Sequence, residues 1–312
     1  MPAAIHVSGL TKSYRRAPTP ALLDVSLEIN AGEIFGLIGP NGAGKTTFLG
    51  CLLGLLNPTE GSIRIDGSPP DAMAVRMVSG YLPERLQFDR WMTGRAFLAF
   101  QHCLARRPAR DRDANVIRGL TRVGLEPARW DTPVKKYSRG MLQRLGMAQA
   151  LVGDPKFVFL DEPASGVDPA GVLAFRDILT DLKQRGATVI LNSHQLDQLE
   201  RVCDRVAYIE AGKIKHVENL HDSEQGRRVL VVRWLAGDSA PSDETLATLL
   251  KQAQAEVLEL APGRARVAIT DDARAAAVLR ALVQAGVPVI EAAPELGRLE
   301  KFFRPEEPKA KA

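Results

Sequence analysis

The run Gly39-Pro40-Asn41-Gly42-Ala43-Gly44-Lys45-Thr46 has the spacing G-x-x-x-x-G-K-[ST] of a phosphate-binding loop. Glycines let such a loop curl so that backbone N–H groups and the N-terminus of the following helix face phosphate oxygens. Lys45 supplies a cation for the β and γ groups, Thr46 a hydroxyl for Mg²⁺, and Thr47 follows directly and is counted with the nucleotide-binding residues. A second chemical signal is Phe157-Val158-Phe159-Leu160-Asp161-Glu162, an apolar run that ends in two carboxylates. Adjacent acids at the edge of a buried strand are costly unless a cation or a water chain meets them. Because side chains alternate across a strand, the two acids are expected to have different partners: Asp161 the Mg²⁺ shell, and Glu162 the attacking water as general base.

These groups need a scaffold. From Ile34 to about Ile214 short apolar runs alternate with longer helical patterns, as in Ile34 to Ile38, Phe157 to Leu160 and Thr188 to Leu191. Such runs predict parallel strands buried on both faces. Ile5 to Val7, Leu27 to Ile29 and Ser62 to Asp66 alternate more, with turns at Asn30-Ala31-Gly32 and Pro58-Thr59-Glu60-Gly61, and predict an antiparallel section beside the main sheet. Residues 89–153 read as helical, and their cluster Arg106, Arg107, Arg110 and Arg112 as a solvated helix end or loop.

A polar stretch, 218–226, then separates a new pattern. Val229 to Val232 reads as a strand, and Leu246, Leu249, Leu250 and Ala253 as a helical stripe after the cap candidate Ser242. Val257 to Leu260 and Arg266 to Ile269 flank Pro262-Gly263 like a hairpin. Ala275, Val278, Leu279 and Leu282 form a second helix from Asp271 to Gly286, before a last strand Pro288 to Ile290. The order strand, helix, strand, strand, helix, strand is that of a ferredoxin-like sandwich. The expected division is 1–217, a linker at 218–226, 227–304 and a disordered tail at 305–312.

With 312 residues, 25% of them charged and 45% hydrophobic, the chain has the composition of a globular protein of two domains. Its net charge of +4, without a long Lys/Arg block, argues only weakly for nucleic acid and about equally for an anionic small ligand or a membrane surface, so no nucleic-acid partner is expected. The longest uncharged apolar run, Phe48 to Leu56, is about half of the roughly 20 residues that cross a bilayer. The opening Met1-Pro2-Ala3-Ala4-Ile5-His6 lacks a secretory pattern, and Cys51, Cys103 and Cys203 lack metal-site spacing; both point to a cytoplasmic protein whose cysteines are reduced, buried small hydrophobes.

Further motifs follow in an order that resembles the ATP-binding subunits of ABC transporters, over roughly residues 4–217. Ser138-Arg139-Gly140-Met141, followed by Gln143-Arg144, resembles that family's signature, whose usual form is Leu-Ser-Gly-Gly-Gln; Ser138 and Gly140 match, while Tyr137, Arg139 and Met141 depart. The Tyr-Ser-(Lys/Arg)-Gly-Met form is similar to that of a branch in which single-domain ATPase subunits serve exporter-type permeases. Ser165-Gly166-Val167-Asp168 resembles the loop after the catalytic acid, His194 the switch histidine, and Tyr14 the aromatic that stacks on adenine. Gly80-Tyr81-Leu82-Pro83-Glu84 resembles the family's glutamine-bearing loop with Glu84 in place of Gln, a carboxylate that can still ligate Mg²⁺.

The resemblance implies a P-loop NTPase of the ABC ATPase type: an α/β protein with a parallel-sheet core, an antiparallel β section and a helical subdomain, followed here by a smaller C-terminal α+β ferredoxin-like domain. It implies ATP and Mg²⁺ as cofactors, and a head-to-tail dimer with a second copy or a paralogous ATPase. In that dimer Ser138 and Gly140 of one chain meet the γ-phosphate on the other, and His194 holds that phosphate and the water. It also implies an integral membrane permease as partner, with the chain peripheral on the cytoplasmic face of the membrane. Intact Lys45, Asp161, Glu162 and His194 argue against a non-hydrolysing regulator, and a single phosphate loop argues against a two-cassette ATPase acting on ribosomes or DNA.

Lys45→Ala removes the cation that meets the phosphates, so ATP binding itself is expected to weaken. Calorimetric titration of the purified variant checks this, and wild-type affinity would remove Lys45 from the site.

Overall fold

The structure is a computed structural model that describes residues 3–15, 17–193, 196–220, 228–235, 243–253, 255–294 and 299. It divides into two compact units, Met1–His221 and Asp222–Ala312.

The first unit begins with antiparallel strands β1 (Ala3–Lys12) and β2 (Leu22–Asn30), then β3 (Ile34–Ile38) and helix α1 (Lys45–Leu52). β4 (Glu60–Ile65), the single turn α2 (Met73–Arg76) and β5 (Ser79–Leu82) follow. Helices α3 (Gly94–Leu104), α4 (Arg112–Arg122) and α5 (Arg139–Ala150) come next. β6 (Phe157–Asp161), α6 (Pro169–Gln184), β7 (Thr188–Asn192), α7 (Leu196–Val202), β8 (Arg205–Glu210) and β9 (Lys213–Asn219) complete it.

The strands make two sheets. One has the order β5-β6-β7-β3-β8-β9, parallel except for its last pair; the other is antiparallel with the order β2-β1-β4. β3, β6 and β7 are buried at every residue, as continuous apolar runs require. In β2 buried Leu22, Val25, Leu27 and Ile29 alternate with exposed positions, the pattern of a sheet wet on one face. Phe48 and Leu49 of α1 share one core with Val7, Leu27 and Ile29 of the antiparallel sheet and with Phe159 and Ile190 of the parallel one. α1 is only two turns long and has no side-chain cap, so its stability comes from this packing rather than from helix propensity.

Register then decides what lies at the carboxyl edge of the parallel sheet. Leu37 of β3 is level with Asn192 of β7, and Asn192 is level with Asp161 of β6. The phosphate loop, the acid pair and Asn192 therefore emerge at the same edge. α3 to α5 fill the helical stretch, and the Arg122 guanidinium on α4 pairs with Asp154 at 3.4 Å and with Asp181 of α6 at 2.5 Å, joining that stretch to the sheet's own helix.

Two expectations about this stretch need correction. Arg107 is not merely solvated: it is half-buried and donates to the Met77 carbonyl at 3.2 Å, which ties the end of α3 to the approach of β5. Cys51 and Cys203 are buried, but Cys103 is exposed, because it falls on the outer face of amphipathic α3, opposite the buried Phe97, Leu98 and His102.

The second unit runs β10 (Arg228–Trp234), α8 (Asp243–Gln252), β11 (Glu256–Ala261), β12 (Arg264–Ile269), α9 (Asp272–Gln284) and β13 (Val289–Pro294). Its antiparallel sheet has the order β11-β12-β10-β13, the ferredoxin-like arrangement, over a core of Leu230, Val232, Leu246, Leu250, Val267, Val278 and Leu282. The Asp271 side chain accepts from the Arg274 N–H at 2.7 Å and caps α9. Ser242 and residues 305–312 lie outside the described residues.

Because the two apolar cores are separate, a protein ending after His221 is expected to unfold in a single transition and to bind ATP as the full chain does. It must include all of β9, which extends past Val217 and pairs Asn219 with Arg205. Thermal unfolding and ATP titration of residues 1–221 check this; a molten or nucleotide-blind product would mean that the second unit completes the first.

Candidate active site

The phosphate loop owes its path to two close approaches. Gly44 adopts φ 108°, and a Cβ there would lie 2.4 Å from the Ala21 carbonyl oxygen; a Cβ on Gly39 would lie 2.1 Å from that of Ile209. No side chain fits at either position. Lys45, the first residue of α1, is 8% exposed and folds back to donate to the carbonyls of Gly39 at 2.8 Å and Pro40 at 3.1 Å. Burial pushes its ammonium pKa down, while Glu162, Asp161 and Glu84 pull it up. Ala43 is buried, whereas Pro40, Asn41, Gly42 and Thr46 are exposed.

Above this loop lies a cleft of about 470 Å³. Asn41, Gly42, Gly44 and Thr46 line it from the loop and the start of α1, and Glu84, Glu162 and Asn192 from the ends of β5, β6 and β7. Thr47 lines it as well, and its hydroxyl is 3.3 Å from the phenol oxygen of Tyr14, so the expected adenine-stacking ring stands beside α1.

The two acids do part company, but not through strand alternation. Asp161 is the last residue of β6, 1% exposed, and its carboxylate accepts from the Asn192 side-chain amide. Glu162 lies beyond the strand in the left-handed region at φ 51°, ahead of Pro163, with its N–H donating to the Asn192 carbonyl at 2.8 Å. The turn, rather than the pleat, sends Glu162 into the cleft. A non-glycine residue in that conformation is held there by its surroundings, a pattern concentrated at functional sites. Burial pushes the Asp161 pKa up, the Asn192 hydrogen bond and Lys45 lower it, and Glu84 and Glu162 add to the rise.

Thr46, Glu84 and Asp161 offer only oxygen donors, the kind that a small hard dication takes. In nucleotide sites such an ion uses one or two carboxylates and completes its shell with phosphate and water. The residues present fit Mg²⁺ held in that way. Among the described residues no group of three or more His, Cys, Asp or Glu is placed to hold a metal by itself.

Ser138 and Gly140 do not reach this cleft. Ser138 caps α5, its hydroxyl accepting from the Met141 N–H at 3.3 Å, and a Cβ on Gly140 would meet nothing within 4 Å. Both line a second open cleft, of about 540 Å³, together with Arg129, Met141 and Arg144. Arg139 is exposed, and one of its guanidinium N–H groups donates to the Ser165 hydroxyl at 2.9 Å. Ser165 lines the first cleft and Gly166 the second, so this loop borders both. Gln143 of α5 donates to the Pro163 carbonyl at 2.7 Å, directly after the acid pair. His194 lies outside the described residues.

Asn192 is the site residue that sequence reasoning missed. Its only sequence signal is an amide closing the apolar run Thr188 to Leu191, and its registry with Asp161 exists only once the strands are paired.

Residues 22–165 match the family model described as ABC transporter. Among curated proteins, an uncharacterized ABC transporter ATP-binding protein of Nostoc sp. is 40% identical over 255 residues, covering 80% of this chain and 76% of its own. A fluoroquinolones export ATP-binding protein of Mycobacterium tuberculosis is 38% identical, covering 73% and 75%. Among solved structures, a dimeric bacterial ABC transporter cassette superposes with a TM-score of 0.65 at 25% identity, over 69% of this chain and 98% of that one.

Asp161→Asn is expected to raise the melting temperature of the nucleotide-free protein. A buried carboxylate whose pKa is raised on folding costs stability when ionised, so stability is lost as pH rises through its folded pKa. At neutral pH the amide should raise the melting temperature, and the gain should vanish at pH values below the ordinary Asp range. Melting curves of both proteins from acid to neutral pH check the sign, and a loss of stability at pH 7 would contradict it.

Proposed function

The chain belongs to the ABC transporter family of ATP-binding proteins, and on that premise we propose that it binds and hydrolyses ATP as the motor subunit of an exporter. The observation that carries this reading is the convergence of Lys45, Thr46, Asp161 and Glu162 at one edge of the parallel sheet, where ligands of open α/β folds bind.

In this reading the loop Gly39 to Thr46, with Thr47, wraps the phosphates, and Lys45 neutralises the β and γ groups. The Tyr14 ring takes the adenine. Thr46, Asp161 and Glu84 hold Mg²⁺, which when bound offsets charge on the phosphates. Glu162 reaches the attacking water from its turn and accepts the proton as that water attacks the γ-phosphorus in line. His194 holds the γ-phosphate and the water.

Separation of the two clefts supports the head-to-tail dimer. Ser138 and Gly140 are turned away from their own phosphate loop, so their cleft serves a nucleotide brought by a second copy or a paralogous ATPase. The fold shared with a dimeric cassette supports the same arrangement. No described helix is long and apolar enough to cross a membrane. In this reading the permease is a separate integral membrane protein, and the chain docks to it at the cytoplasmic face. The Tyr137-Ser138-Arg139-Gly140-Met141 form and the fluoroquinolone-export relative support outward transport. The ferredoxin-like unit steadies or regulates the dimer.

Glu162→Gln keeps the phosphate contacts and removes the base. Turnover is expected to fall by about 10²–10⁴-fold while ATP binding persists and an ATP-bound dimer accumulates. Phosphate release and size-exclusion chromatography with ATP check this; near wild-type hydrolysis would remove Glu162 as the base. Substrate flux in inverted vesicles carrying the co-purified permease tests the direction.

A further inference from the structure

Asn192 combines two contacts and one unpaired atom that no motif accounts for. It is 2% exposed, at the carboxyl end of β7. Its Nδ2 donates to an Asp161 carboxylate oxygen, and its main-chain carbonyl accepts the Glu162 N–H at 2.8 Å. One side chain and its own backbone thus grip both acids. The third feature is its Oδ1, which is buried without a hydrogen-bond partner among the described residues, in a side chain that lines the nucleotide cleft.

The amide cannot resolve this by turning over. A flip would place Oδ1 against the Asp161 carboxylate, acceptor against acceptor, and leave the NH₂ group unpaired instead. Oδ1 therefore stays available, and a buried acceptor left unpaired is costly. The ionised carboxylates of Asp161, Glu162 and Glu84 have no proton to donate, and neither has a triphosphate. The Lys45 ammonium and the Thr46, Thr47 and Ser165 hydroxyls line the same cleft, but none hydrogen-bonds to Oδ1; the remaining donor is a water O–H, which reaches this buried atom once the cleft floor shifts slightly.

We propose that Asn192 is a positioning residue of the hydrolytic centre: its amide fixes Asp161, its carbonyl fixes the turn that aims Glu162, and its Oδ1 accepts from a water at the phosphate end of the cleft. That water is either the one that attacks the γ-phosphate or one belonging to the shell of the bound dication; the hydrogen bond to Oδ1 has the same chemistry in both. This role rests on the ATPase reading above.

The test uses full-length Asn192→Val, which removes both the donor and the acceptor, and Asn192→Ser, which keeps a short hydroxyl. Each is made alone and in the Glu162→Gln background. The readouts are kcat, KM, melting temperature, calorimetric ATP affinity in EDTA, and ATP affinity as a function of Mg²⁺ concentration. Asn192→Val is expected to lower kcat by about 10–100-fold with the affinity in EDTA unchanged and the melting temperature lowered by the lost bond to Asp161, and Asn192→Ser to recover part of both losses.

If the water is the attacking one, Mg²⁺ dependence stays at the wild-type value and the Val substitution adds nothing to Glu162→Gln. If it belongs to the dication's shell, the Mg²⁺ requirement rises, in the Glu162→Gln background as well. Wild-type kcat and Mg²⁺ dependence in Asn192→Val would overturn the proposal. So would a joint fall of melting temperature and metal-free affinity that Ser does not relieve, since that marks mere packing. Absence of ATP binding and turnover in the wild-type protein would overturn the ATPase reading of the site itself, whereas normal wild-type turnover beside a fully active Asn192→Val would overturn only the role of Asn192.

Discussion

Parallel pairing of β7 with both β3 and β6 is the constraint on which the site depends. Level registry of Leu37 with Asn192, and of Asn192 with Asp161, carries three chain segments, the first of them more than a hundred residues from the other two, to one edge. The phosphate loop leaves β3 there, the acids leave β6 there, and Asn192 closes β7 between them. Because side chains alternate with a period of two, a slip of one residue would turn Asp161 and Asn192 to the opposite face and separate them from Lys45. The fully apolar strands resist that slip, since each is buried on both sides and matched against α1 and the antiparallel sheet.

Within that frame the charges are held at a cost. Lys45 and Asp161 are both buried, and burial pushes the Lys45 pKa down and the Asp161 pKa up, each toward its neutral form. Their mutual attraction, together with the carbonyls of Gly39 and Pro40 on one side and the Asn192 amide on the other, offsets part of that cost. The αL conformation of Glu162 is a second strained element, stabilised by its N–H bond to Asn192. A centre prepared in this way needs little rearrangement when a polyanion arrives, because its dipoles already point to where charge will sit.

α5 connects this centre to the second cleft. Its first turn carries Ser138 and Gly140, and from the same helix Gln143 grips the Pro163 carbonyl while Arg139 grips Ser165. Movement of the helix is thereby linked to the backbone just beyond Glu162. The Arg139 departure from the usual signature thus has a local partner in its own chain.

The phosphate loop, the paired acids, the alternation of strands and helices and the ferredoxin-like order of the second unit were all legible in the sequence. Each is a local pattern: glycine spacing, hydrophobic period or turn chemistry, and these depend on neighbours along the chain. The family resemblance followed from such patterns in order. Three-dimensional pairing decided the rest. It put Glu162 outside the strand, bonded Arg139 to Ser165 and Arg107 to Met77, and left Cys103 exposed on the outer face of α3. It also made an amide at position 192, inconspicuous in the sequence, the partner of both acids. Hydrogen bonds between residues 26, 30 or 31 positions apart leave no periodic trace in a sequence, because they depend on registry between strands and on turns whose geometry is set only when the core closes.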